Sequence, residues 1–295
     1  MEELRVERDG ASLAVGYSPM GETAVVAVHG AGMGTRDWFL YRHLHELLPP
    51  AGIGVATFDR RGDGASTGTP SRGDFTLQAD DAIAVGEALG AAQFGIWGIS
   101  QGGWVGPVAA TRSDRVAFLV LLASCGVTPA EQMQFATAEQ LRHAGYAEDV
   151  VERALVLRSR AEDWIRGEPT PGLERELASA AEEPWWPHMY LPSSLPPDEE
   201  VDAMRRALAE EMFFQPEPVF AEVRVPTLLF YGDEDDWIPV GESIKAWRRA
   251  RGDAVEIAVI PGTGHEPTRG DETVVPEYER KLVDWLTERA SPGRR

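Results

Sequence analysis

The stretch FGIWGISQGGWVGPVAAT, Phe94 to Thr111, decides how the chain is read. An apolar run ends in glycine and isoleucine, one serine and a glutamine follow, two glycines come next, and then a helix-like segment begins. A strand that hands over to a helix through Gly-x-Ser-x-Gly must turn tightly. The serine takes a strained backbone conformation there, and its neighbours must lack side chains that would clash. The Oγ of Ser100 then projects above the sheet edge. The backbone N–H of Gln101 points to the same place, and the N-terminus of the next helix adds a positive dipole. In isolation the five-residue pattern also fits a packing turn. With a strand before it and a helix after it, Ser100 is the candidate nucleophile.

Outward from this stretch, short β-type runs alternate with longer helical patterns. AVVAVHG, GVATFDR, FGIWGIS, VAFLVLLAS, VPTLLFYGD and AVEIAVIPG read as strands. RDWFLYRHLHELL from Arg36, LQADDAIAVGEAL, GWVGPVAATR, VGESIKAWRRA and PEYERKLVDWLTERA read as helices. Continuous apolar strands separated by helices predict a doubly wound, mostly parallel sheet covered on both faces, the α/β class. Asp9-Gly10 predicts a hairpin that adds antiparallel edge strands. Residues 127–223 break the alternation. They carry helical stretches near Ala130–Gly145, Ala147–Gly167 and Asp198–Phe214, and a proline- and aromatic-rich run, EEPWWPHMYLPSSLPPDEE. The division expected is a sheet core of 1–126 and 224–295 with an inserted helical cap of 127–223 over the carboxyl edge of the sheet. The alternative for the insertion is a separate helical domain.

The 295 residues carry a formal net charge of -20. Such a surface repels phosphates and anionic lipid, which makes nucleic acid and membranes poor partners. No apolar run is long enough to span a bilayer. The single cysteine, Cys125, forms no internal disulfide. With an N-terminus, MEELRVERDG, that lacks the apolar core of a secretory signal, this predicts a cytoplasmic protein. CxxC and HExxH are both absent, so no metal is expected. HGAGMG is followed by no GK[ST] and lacks the G-x-G-x-x-G spacing, so no nucleotide cofactor is expected either.

A serine hydroxyl needs a base. Of six histidines, His43 and His45 fall on a helix, His143 and His188 in the insertion, and His29 at a strand end where a structural role fits. His265, in IPGTGHEP directly after the last strand, is the candidate base. The base needs a carboxylate to hold its tautomer. FYGDEDDWIP offers Asp233, Glu234, Asp235 and Asp236, and the pattern alone leaves all four open. The oxyanion needs two N–H donors. Gln101 is one. The other is Ala31, in the loop after AVVAVHG, where small residues let the backbone approach.

These pieces together resemble the α/β-hydrolase superfamily. HGAG resembles its oxyanion loop, DRRGDGAS (Asp59 to Ser66) its structural D-x-R-G-x-G-x-S turn, GISQGG its nucleophile elbow, GDEDDWIP its acid loop and PGTGH its histidine loop. All five occur in the family's order and cover nearly the whole chain. The resemblance implies the α/β-hydrolase fold and a Ser-Asp-His triad. Gly232, Asp235 and Pro239 match the family's G-x-x-D with proline four residues on, so Asp235 is implied as the acid, with Asp233 and Asp236 in reserve. Members with an aspartate nucleophile are disfavoured by serine at position 100.

The expected function is hydrolysis of an ester, thioester or amide through an acyl-enzyme. The cap aromatics predict a medium-sized, largely apolar acyl substrate, a small molecule. Trp185 and Trp186 are the candidate lining residues, with Trp38 and Phe39 at the entrance. The alternatives are acyl transfer or cyclisation from the same acyl-enzyme, and a non-catalytic binder on the same fold.

Overall fold

β1 (Glu2–Arg8) and β2 (Ala11–Ser18) fold back on each other around Asp9 and Gly10. Both turn residues have positive φ, 43° and 75°, which matches the right-handed twist of the flanking strands. The computed structural model describes residues 1–32, 34–71 and 73–290, with Asp198 described by its backbone alone. Met33 of the AGMG loop thus lies outside the described residues. From β3 (Thr23–Val28) onward, strand and helix alternate through α1 (Phe39–Leu47), β4 (Gly54–Phe58), α2 (Phe75–Ala88), β5 (Gln93–Ile99), α3 (Gly102–Arg112) and β6 (Val116–Leu122). The helices α4 (Pro129–His143), α5 (Glu148–Ile165), α6 (Leu173–Ala180), α7 (Asp198–Met212) and α8 (Pro216–Glu222) follow without a strand. The alternation resumes with β7 (Thr227–Gly232), α9 (Val240–Arg251), β8 (Val255–Ile260) and α10 (Pro276–Ala290).

Among the described residues, eight strands form one sheet in the order β1-β2-β4-β3-β5-β6-β7-β8. β1 and β2 pair antiparallel, as does β2 with β4, and the remaining pairs are parallel. The predicted α/β class and the antiparallel edge both hold. Alternate residues of the central strands point to opposite faces. Val25, Trp97, Ile99, Phe118, Val120, Leu228 and Phe230 go to one side, where Tyr41 and Leu44 of α1 and Tyr278, Leu282 and Trp285 of α10 cover them. Trp97 Nε1 donates to Tyr278 Oη at 2.8 Å, so its one polar atom is satisfied inside this core. Each such side chain contributes about 1.5–3 kcal/mol on burial. One helix begins later than the sequence suggests: α1 starts at Phe39, three residues past Arg36. The Arg36 N–H donates to Asp59 Oδ1 at 2.9 Å, which holds that turn out of the helix.

The chain divides into two compact units. The sheet unit is Met1–Gly126, Pro216–Asp235 and Val240–Arg295; the helical unit is Val127–Gln215 with Asp236–Pro239. Pro216–Glu222, which the sequence reading assigns to the insertion, packs with the sheet unit instead, because the Phe220 ring stacks on Trp247 with centroids 3.8 Å apart. The helical unit opens with a capping box: Thr128 Oγ1 accepts from the Glu131 N–H at 3.2 Å, and Glu131 Oε2 accepts from the Thr128 N–H at 2.9 Å. Its core comprises Leu141, Val151, Leu157, Trp164, Leu177 and Trp185 among others. Beside that core lies a buried polar layer. Arg158 Nε donates to Thr137 Oγ1 at 3.0 Å, a second Arg158 nitrogen donates to the Met189 carbonyl, and Gln134 Nε2 donates to Glu162 Oε2 at 2.6 Å. Among the described residues, no helix is long and apolar enough to cross a membrane.

Candidate active site

Ser100 sits between β5 and α3 with φ at +55°. A non-glycine residue in that region costs of order 1–3 kcal/mol. Hydrogen bonds on both sides hold it: the Ser100 N–H donates to the Leu122 carbonyl at 2.9 Å, and its own carbonyl accepts from the Gly103 N–H at 2.7 Å. A Cβ on Gly98 would lie 2.5 Å from the Gly102 carbonyl oxygen, and one on Gly103 would lie 2.6 Å from Ser124 Cα. The turn and the helix behind it fit only because both positions are glycine. Pro107, inside α3, has no N–H to offer the Gly103 carbonyl one turn back. Ser124 supplies the missing donor. Its Oγ donates to that carbonyl at 3.0 Å and accepts from Trp247 Nε1 at 3.1 Å, while its own carbonyl accepts from Tyr231 Oη at 2.8 Å.

The loop His29-Gly30-Ala31 leaves β3 beside the serine: a Cβ on Gly30 would stand 3.5 Å from Ser100 Cβ. Buried Arg60 braces this loop, donating to the Gly30 carbonyl at 2.6 Å and, more weakly, to the Ala31 carbonyl at 3.5 Å. Among the described residues, the backbone N–H groups of Ala31 and Gln101 donate to no protein group. The Gln101 side chain is buried and accepts from Gln78 Nε2 at 3.3 Å. The DRRGDGAS turn holds these loops. Asp59 accepts from the N–H groups of Arg36 and Ala65, at 2.9 and 2.8 Å, and Arg61 makes a buried two-pronged pair with Asp81 at 3.0 and 2.6 Å.

The structure gives the four carboxylates of the acid loop separate places. Asp233 Oδ1 accepts from the Gly262 N–H at 2.7 Å. Glu234 is exposed. Asp235, its side chain fully buried, faces His265 Nδ1 through both oxygens, at 2.9 and 3.1 Å. Asp236 faces His143 Nδ1 at 3.3 Å within the helical unit. A carboxylate on Nδ1 holds the proton there and leaves Nε2 with its lone pair, the form a general base requires. The two loops touch closely: a Cβ on Gly232 would lie 2.1 Å from the Gly264 carbonyl oxygen. Next in the chain, half-buried Glu266 has its carboxyl pushed up by burial, against the opposing pull of His265.

His29 is unsuited to base chemistry. Its Nε2 lies 2.7 Å from the Phe58 carbonyl, which only accepts, so Nε2 carries the proton and Nδ1 accepts from Tyr41 Oη at 2.9 Å. Burial, reinforced by Arg60, pushes its pKa down to about 3. His45 is held between Ser18 Oγ at 2.9 Å and Thr57 Oγ1 at 3.0 Å, and burial pushes it down to about 4.

A model of the alpha/beta hydrolase family matches residues 25–277. The chain belongs to the alpha/beta hydrolase family. No curated protein matches the sequence. Solved structures share this hydrolase's fold along nearly all of its length. The proline iminopeptidase of Mycobacterium smegmatis is 18% identical with a TM-score of 0.64, covering 98% of this chain and 99% of its own. An esterase of Pyrococcus furiosus is 15% identical with a TM-score of 0.61, covering 97% and 92%. A membrane phospholipase A described as a bacterial virulence factor is 22% identical with a TM-score of 0.60, covering 99% and 87%.

The structure gives each of the aromatic side chains singled out in the sequence a definite place. Trp185 is 4% exposed and lies inside the helical unit's own core, with Trp186 packed against that core. A short proline-bounded turn, Trp186–His188, suffices to tuck the ring between helices. Trp38 and Phe39 are half-buried against the core under α1, in edge contact with each other at 5.3 Å. The sequence reading passes over Arg60 and Gln78. The signal for Arg60 is its place inside the DRRG turn; Gln78 has none, being one polar residue on a helix until α2 packs beside α3.

Proposed function

We propose that this alpha/beta hydrolase is a serine hydrolase that cleaves carboxylic esters, thioesters or amides through an acyl-enzyme. The observation that carries the reading is Ser100 at φ +55°, a strained position kept at a strand–helix turn and flanked by glycines that no side chain could replace. The Asp235–His265 contact supports it. Ser100 Oγ attacks the acyl carbonyl carbon while His265 Nε2 takes the hydroxyl proton. Asp235 holds the imidazole and offsets its charge. The N–H groups of Ala31 and Gln101 stabilise the oxyanion. The carbon–leaving-group bond then breaks, and His265 returns its proton to the departing group. Water, deprotonated by His265, attacks the acyl-enzyme carbonyl and releases the acid and Ser100. The helical unit is read as the family's cap.

The test is labelling with a fluorophosphonate probe, followed by a panel of p-nitrophenyl esters of varied chain length beside acyl-thioesters and aminoacyl amides. The probe should attach at Ser100, and Ser100→Ala should lower turnover of the best substrate by roughly 10³-fold or more. Wild-type turnover in Ser100→Ala would overturn the reading.

A further inference from the structure

Among the four carboxylates of the acid loop, Asp235 has a place in the proposed chemistry, and Asp233 makes a contact that chemistry does not use. The acid loop and the histidine loop run side by side in matched steps. Asp233 Oδ1 accepts from the Gly262 N–H at 2.7 Å. The Glu234 N–H donates to the Thr263 carbonyl at 3.0 Å. Asp235 meets His265 at 2.9 Å. The first of these ties uses a side chain outside the proposed Ser-His-Asp set, and it grips the histidine loop at its turn, where Gly262 has φ +68°.

We propose that Asp233 is a positioning residue: its carboxylate pins the turn at Gly262 and thereby sets His265 against Asp235. The proposal rests on the serine-hydrolase reading above. Gly262 sits at positive φ, and a glycine there does not fix its own geometry. A charge-assisted bond to its N–H does. Besides these ties and the close backbone approach of Gly232 to Gly264, two contacts of the loop run along its own chain. Thr263 Oγ1 donates to the Ile260 carbonyl at 2.9 Å, and Arg269 donates to the Pro261 carbonyl at 2.9 Å. Neither crosses to the acid loop. Asp233 itself is exposed, and among the described residues its side chain has no other partner. It therefore adds little to the core. Its contribution falls on the alignment of the base, where a displacement of about 1 Å costs up to roughly 10²-fold in rate.

The experiment compares wild type, Asp233→Ala and Asp233→Asn. It uses turnover of p-nitrophenyl butyrate, the rate of fluorophosphonate labelling, and thermal unfolding, with Ser100→Ala as control. Asp233→Ala should lose about tenfold in kcat and a similar factor in labelling rate, with KM within about twofold, because the loss falls on the transition state. Asp233→Asn keeps an acceptor oxygen and should recover kcat to within about threefold of wild type. Both variants should melt within a few degrees of wild type, as exposed substitutions do. Asp233→Ala with wild-type kcat and labelling overturns the proposal, as do equal losses in both variants or a loss seen only with unfolding. If Ser100→Ala also turns over at the wild-type rate, the serine-hydrolase reading fails with it; if Ser100→Ala is inactive, only the role of Asp233 fails.

Discussion

Asp235 meets Nδ1 of His265 with both carboxylate oxygens, at 2.9 and 3.1 Å, from a side chain that is fully buried. Asp233 instead accepts from the Gly262 N–H and Asp236 faces His143. Asp235→Asn keeps the shape and removes the charge and the tautomer control. It should lower kcat by about 10³–10⁴-fold with little change in KM. Glu234→Gln and Asp236→Asn should stay within about threefold of wild type. Steady-state kinetics on one p-nitrophenyl ester separates the three, and equal losses would mean that the loop's charge matters rather than the Asp235 contact.

Gly232 stands where the two loops cross, and a Cβ there would sit 2.1 Å from the Gly264 carbonyl oxygen. Backbone cannot yield as a side chain does. Gly232→Ala should therefore force the loops apart and cost at least about 10²-fold in kcat if the protein folds. Circular dichroism melting alongside kinetics checks this, and a fully active, equally stable variant would contradict the close packing.

Ser124 answers two buried groups at once, the Gly103 carbonyl and Trp247 Nε1. Ser124→Ala leaves both without a partner, at about 1–3 kcal/mol each where no water replaces the hydroxyl. Urea unfolding should show a loss of about 2–4 kcal/mol. A loss below about 0.5 kcal/mol would mean that another donor reaches Gly103.

Glu162 is 2% exposed, and among the described residues its Oε1 has no hydrogen-bond partner. Burial holds its carboxyl above the ordinary value of 4.5, against the smaller opposing effects of Gln134 and Arg158. The folded protein thus binds this proton more tightly than the unfolded chain does. The stability linked to Glu162 is fully present below the unfolded value and is lost as pH rises through the folded one. Denaturant unfolding of wild type and Glu162→Gln from weakly acidic to neutral pH should show the wild type losing stability relative to the variant. Parallel curves would remove Glu162 as the source.

Trp185 is packed in the helical unit's core, 4% exposed. Trp185→Phe should leave KM for p-nitrophenyl esters within about twofold, since the ring touches neighbours in its own unit. A large KM change would return Trp185 to substrate binding.

The strands, their order and most of the helices were legible in the amino-acid sequence because each rests on local physics, whereas α6 and α8 were not. Apolar runs of strand length separated by amphipathic segments define a parallel sheet. Asp9-Gly10 defines a hairpin, and Gly98-x-Ser100-x-Gly102 defines a turn that few other residues could make. Family membership follows from the order of five short motifs, each placed at the end of a strand. Three things were decided only when the chain folded. That Asp235 rather than a neighbour meets His265 depends physically on how β7 and β8 bring two loops together, and Asp233 and Gly262 bond across those loops from positions 29 residues apart. The burial of Trp185 depends on helices that close around it. The Ser124–Gly103 bond depends on β6 lying beside α3, because a proline's missing N–H can be replaced only by a donor from elsewhere in the fold. Sequence determines what each segment can form by itself. The partners of a carboxylate, an indole or an orphaned carbonyl are set by packing between segments far apart in the chain.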